Sequence, residues 1–145
     1  MPGVKIFLLN LHKELTTHPQ IESLVGDATQ MGDFDDQAFD LVFSNSVIEH
    51  LYTFENQQKM AREILRLGKK YFIQTPNKYF PVEAHYALPF AQFLPKELVF
   101  QILTKTPLSR MKRWRKEDAR QYLGEIRLLD EKEMSLLFPG SQIFK

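Results

Sequence analysis

Phe39-Asp40-Leu41-Val42-Phe43-Ser44 is the stretch that decides the fold, and it runs on directly into Asn45-Ser46-Val47-Ile48-Glu49-His50-Leu51. Its apolar residues are consecutive rather than alternating with polar ones. A short apolar run without alternation predicts a strand buried on both faces, the habit of parallel sheets covered by helices. Downstream, Glu55–Leu67 carries Met60, Ile64 and Leu67 at spacings of four and three, and Gly68 stands where a helix would stop. Glu55, Gln58, Lys59, Arg62, Glu63 and Arg66 fill most of the other face, which predicts an amphipathic helix. Lys70–Gln74 is the next apolar run, closed by Thr75-Pro76-Asn77. Strand, helix and strand make a βαβ crossover, which is right-handed in nearly all proteins. Upstream, Lys5–Leu9 and Gln20–Val25 read as two more strands, the second ending at Gly26-Asp27. The expectation is an α/β fold with all four strands in one largely parallel sheet.

Beyond Asn77 the character changes. Tyr79–Pro95 is dense in aromatic residues and proline, and Pro95 suits the first turn of a helix through Leu98, Val99, Ile102 and Leu103. Residues 78–116 read as an insertion within a single domain that spans 1–145. Asp118–Gly124 is expected to form a short helix, and Asp130 to cap another through Glu133, Met134, Leu137 and Phe138. Pro139-Gly140 then turns into a last strand expected near Gln142.

Composition narrows the function classes. The chain has 145 residues, 43% of them hydrophobic and 26% charged, as in an ordinary soluble domain. There is no cysteine, which excludes disulfides, thiolate nucleophiles and thiolate metal sites. No apolar run approaches the roughly 20 residues that span a bilayer, and no signal-peptide pattern opens the chain, so a cytoplasmic protein without membrane association is expected. The net charge of +1 gives no global attraction to nucleic acid. Lys105, Arg110, Lys112, Arg113, Arg115 and Lys116 surround Trp114, but Glu117, Asp118 and Glu125 follow. That cluster is read as a solvated face rather than a nucleic-acid surface.

Three landmarks carry a family resemblance: Val25-Gly26-Asp27-Ala28, the long stretch Phe39–Leu51, and Gln74-Thr75-Pro76-Asn77. Together they resemble class I S-adenosylmethionine-dependent methyltransferases of the type 11 group. The resemblance implies a Rossmann-like, three-layer, mostly parallel sheet, S-adenosylmethionine as cofactor and a small-molecule methyl acceptor. It also implies roles. Asp27 would meet the adenine amino group and the backbone amide of Ala28 its ring, while Asn10 stands where many relatives place an acidic residue for the ribose hydroxyls. Ser44, Asn45 and Ser46 would pass the cofactor on the loop that opens toward substrate. Glu49 and His50 are the catalytic candidates, since an imidazole titrates near working pH. Gln74, Asn77 and His85 would face the acceptor. Some RNA and quinone methyltransferases hold a divalent metal with Glu-x-x-Glu-His. Here Ser46 takes the first place and leaves one oxygen ligand short, so no metal is expected, although His85 could supply a ligand. These residues fall at carboxyl ends of strands, or on the segment that starts there, where open parallel sheets bind ligands.

Relative to the resemblance, the sheet is expected to be incomplete, without the family's first strand and glycine-rich loop and without its last strand. The chain alone is then expected to bind cofactor weakly. The alternative is a non-catalytic methyltransferase-like fragment that acts by associating with another chain.

Overall fold

The computed structural model describes residues 3–144. Two parallel ladders carry the first half of the chain. β1 (Ile6–Asn10) pairs with β2 (Ile21–Val25), Ile6 opposite Ile21 and Asn10 opposite Val25. β3 (Val42–Asn45) pairs with β4 (Tyr71–Gln74), Val42 opposite Tyr71 and Asn45 opposite Gln74. The four expected strands all form, but they do not join into one sheet. Where a ladder between β1 and β3 would run, the two halves meet through aromatic rings instead. Phe7 lies 5.5 Å from Phe39, and Phe39 lies 5.2 Å from Phe34.

The decisive stretch also behaves differently from its expectation. Regular pairing starts at Val42, not Phe39, and β3 alternates between buried and exposed residues. Phe43 is 63% exposed and stacks on the exposed Phe72 of β4, whereas Ser44 on the opposite face is buried. Only one face is covered, by α1 (Phe54–Leu67), and that is why a continuous apolar run gives a half-buried strand. Phe39 still forms one parallel bridge, to Gly68. A Cβ at Gly68 would stand 2.7 Å from the carbonyl oxygen of Lys70 and 2.9 Å from Val42, so the close return of α1 to the sheet requires glycine there.

α1 is the crossover predicted from periodicity. Thr53 caps it by accepting from the Asn56 amide at 3.2 Å. Met60, Ala61 and Ile64 face a core completed by Ile48, Leu129, Leu137 and Phe138, and Leu67 is buried at the end of the helix. Each large side chain buried there contributes about 1.5–3 kcal/mol. The polar face is not idle: Arg66 donates to the carbonyls of Phe34 and Met31, and Glu63 accepts from the Met31 amide, which ties the loop after β2 to the helix.

The second half builds its own core of Tyr86, Leu88, Ala91, Val99, Leu103, Ala119 and Leu123. A short antiparallel pair, β5 (Val82–Glu83) with β6 (Leu88–Pro89), precedes α2 (Lys96–Lys105) and α3 (Lys116–Glu125). Trp114 belongs to this packing: its indole nitrogen donates to Ser109 Oγ at 2.8 Å and its ring meets Tyr86 and Tyr122. α4 (Glu131–Leu137) begins with the expected Asp130–Glu133 capping box. The strand expected near Gln142 is not formed; residues 141–144 lack regular structure. No helix among the described residues is long and apolar enough to cross a membrane.

Candidate functional site

Beyond β3 the chain bends at Ser46, which adopts φ +53°, and makes a single 3-10 turn over Ile48–His50 before a second bend at Tyr52, φ +63°. Glu49-His50 therefore forms a separate turn rather than the start of the crossover helix. Gln57 on α1 fixes this turn. Its amide donates to the carbonyls of Ile48, at 2.9 Å, and Arg127, at 2.8 Å, and accepts from the Arg127 guanidinium at 2.8 Å. The Arg127 amide in turn donates to the Glu49 carbonyl at 2.8 Å. A buried polar network that is this well satisfied holds one conformation.

The turn delivers Glu49 inward and His50 toward the second core. Glu49 is fully buried; its Oε2 accepts from Thr75 Oγ1 at 2.9 Å, and its Oε1 has no hydrogen-bond partner. His50 Nδ1 lies 2.7 Å from Glu125 Oε1 at the end of α3. His85, between β5 and β6, repeats the arrangement: its Nδ1 lies 2.7 Å from Oε1 of the buried Glu83. A carboxylate only accepts, so each ring donates from Nδ1 and leaves Nε2 uncommitted. The two imidazoles meet edge to face with centroids 5.0 Å apart. Donor atoms of Glu49, His50 and His85 all lie within 4.8 Å of one another. Burial, with the nearby charges of Glu83 and Glu125, pushes the Tyr86 hydroxyl well above the usual phenol range.

The other expected residues lie outside this cluster. Asn77 accepts from the Tyr79 amide and lines a cleft of ≈ 220 Å³ shared with Pro76, Phe80, Val82 and Glu83. Gln74 ends β4, and its carbonyl accepts from the Ser46 amide at 2.9 Å. Asn45 and Ser46 continue the end of β3, while the Ser44 hydroxyl points into the core without a partner. On the other ladder, Asn10 bonds Glu14 at 3.0 Å, and Asp27 Oδ1 accepts from both the amide and hydroxyl of Thr29 at 2.8 Å. Ala28 packs on the first core. Thus the structure brings Glu49, His50 and His85 together, and Asn77 shares a cleft with Glu83, the partner of His85. Asn10 and Asp27 sit at the ends of the other ladder. Sequence reasoning did not single out Glu83, Glu125 or Thr75 as site residues. Glu83 shares the Glu83-Ala84-His85 run, a detectable hint, but nothing in the sequence links Glu125 to His50.

Residues 6–71 match a family model described as a methyltransferase domain. The match bears out, over that segment, the resemblance to class I S-adenosylmethionine-dependent methyltransferases. It includes Asn10, Asp27, Ala28, Ser44–Ser46, Glu49 and His50, and ends before Gln74, Asn77 and His85. Two curated proteins of Mycobacterium tuberculosis are each 32% identical to this chain over 68 residues: uncharacterized protein MT1557 (strain CDC 1551 / Oshkosh) and uncharacterized protein Rv1509 (strain ATCC 25618 / H37Rv). The aligned part is 47% of this chain and 22% of each relative, so the chain spans about a fifth of their length. No solved structure matches.

Proposed function

We propose, from the premise that residues 6–71 form a methyltransferase segment, that this chain carries the adenosine-binding and acceptor sides of an S-adenosylmethionine-dependent methyltransferase for a small molecule. The observation that carries the reading is the coincidence of the family match with strand ends. Asn10, Asp27, Ala28, Ser44, Asn45 and Ser46 lie at or just beyond the carboxyl ends of parallel strands, where such sheets receive nucleotides. Asp27 would accept from the adenine amino group, and Ala28 would offer its amide. On the acceptor side, His50 and His85 meet beside the buried Glu49, Asn77 would join them from the cleft it shares with Glu83, and Gln74 from the end of β4. Bound S-adenosylmethionine supplies an electrophilic methyl group. The protein's part is positioning, since an acceptor atom must be held in line at roughly 3 Å. While no cation occupies it, the Nε2 of His50 or His85 is suited to take a proton from an acceptor that needs deprotonation.

Saturation-transfer NMR with S-adenosylhomocysteine tests this at concentrations where weak binding is visible. Transfer to the adenine protons is expected, and Asp27→Ala should weaken binding by about 1–3 kcal/mol, the usual cost of a lost charged hydrogen bond. Absence of transfer, or no effect of Asp27→Ala, would overturn the assignment.

A second reading has its own observation. Among the described residues each strand of the two parallel ladders leaves one edge unpaired, and Ile6, Leu8, Phe43 and Phe72 on those strands are exposed. Unpaired apolar edges recruit other strands, which favours association with another chain. Sedimentation of the chain as a monomer across a wide concentration range would remove the support for self-association.

A further inference from the structure

We propose that Glu49, His50 and His85 form a binding site for one divalent transition-metal cation, contrary to the expectation drawn from the sequence. Three independent features converge. Donor atoms of all three residues lie within 4.8 Å of one another. A tetrahedral ion with ligands at about 2.1 Å separates them by about 3.4 Å, so even the widest pair has to close by no more than about 1.4 Å. Second, Glu49 is fully buried, yet its Oε1 has no hydrogen-bond partner. An ionised oxygen in that position costs several kcal/mol unless a charge meets it. Third, each imidazole is already oriented from behind by a carboxylate, His50 by Glu125 and His85 by Glu83, each at 2.7 Å. A carboxylate holding Nδ1 fixes the tautomer that presents Nε2 and raises its basicity as a ligand.

The charge balance points the same way. Glu49, Glu83 and Glu125 gather around two imidazoles, and among the described residues no lysine or arginine forms an ion pair with any of the three. Arg127, the nearest guanidinium along the chain, is taken by Gln57 and Glu133. A divalent cation offsets most of that charge. Two imidazole nitrogens with one carboxylate oxygen select zinc, cobalt or ferrous iron over magnesium or calcium, which take oxygen ligands. Three protein ligands leave a coordination position open. Glu83, which holds His85, also lines the cleft shared with Asn77.

The site stands whether or not the chain binds S-adenosylmethionine, and its test uses the metal alone. Titrating cobalt(II) into the chain should produce saturable visible absorption bands that zinc abolishes by displacement. His50→Ala, His85→Ala and Glu49→Gln should each remove the bands, with folding checked by circular dichroism. Glu83→Gln and Glu125→Gln should weaken affinity by about 10–100-fold. The chain has four histidines, so a His12→Ala, His18→Ala double variant is the control and should bind normally. Should the ligand variants unfold, paramagnetic broadening in the native chain decides: amides of Glu49, His50 and His85 should disappear first. No bands, bands that survive His85→Ala, or broadening centred on Asp33–Asp36 would each overturn the proposal.

Discussion

His50 Nδ1 lies 2.7 Å from Glu125 Oε1, a carboxylate 75 residues further along the chain. This pair, with the Tyr52 amide donating to the Glu125 carbonyl at 3.2 Å, fastens the turn after β3 to the end of α3. It is how the second core reaches the residues that the first core supplies.

Replacing Glu125 should therefore loosen both parts. Glu125→Ala leaves a part-buried imidazole donor without its acceptor, and we expect a loss of about 1–3 kcal/mol in urea unfolding. Glu125→Gln preserves an acceptor and should cost less. Imidazole nitrogen shifts should show His50 protonated at Nδ1 in the native chain and a mixture of tautomers in Glu125→Ala.

Acid should destabilise the fold through two carboxyls. The hydrogen bond from Arg66 holds Glu63 below its ordinary value of 4.5, and the backbone amide of Glu133, with Lys78 nearby, holds Asp130 below 3.8. Both pKa values are lower folded than unfolded. Their contributions are thus complete above those ordinary values and are lost as pH falls through the folded ones. The melting temperature should fall as pH is lowered through 4.5 and 3.8, and Glu63→Gln should flatten that dependence. An unchanged profile in Glu63→Gln would assign the acid sensitivity to other groups.

Neutralising Arg113, Arg115 and Lys116 together should change little. The Arg115–Asp118 pair is exposed, and solvent screens such pairs so that they contribute little to stability. Trp114 keeps its place through Ser109 and Leu103, not through its basic neighbours. Binding of S-adenosylhomocysteine by the triple variant should equal that of the native chain at every salt concentration. A steep salt dependence would point to a polyanionic ligand.

The local physics was legible in the sequence. Periodicity placed α1, the Asp130–Glu133 spacing gave the cap of α4, and short apolar runs marked all four parallel strands within a few residues. What could not be read was partnership across distance. The run at Phe39–Ser44 looked buried on both faces because its residues are apolar, yet burial depends on what covers them, and Phe43 is left exposed. For the same reason the sequence did not show that two ladders would stay separate. In the site, Glu49, His50 and His85 were visible as residue types with suitable chemistry. Their convergence was not, because it depends on Glu125 and Glu83 steering two rings, and a hydrogen bond between residues 75 positions apart leaves no local pattern.

The proposed nucleoside cofactor would lie at the carboxyl ends of these strands. Amide chemical-shift mapping tests it most directly. S-adenosylhomocysteine titrated into isotope-labelled chain should move the signals of Asp27, Ala28, Asn45 and Ser46 together along one saturating curve, and leave those of α2 and Trp114 still. Shifts confined to the second core around Tyr86 and Leu123, or none at millimolar ligand, where affinities near −4 kcal/mol are still detected, would contradict it.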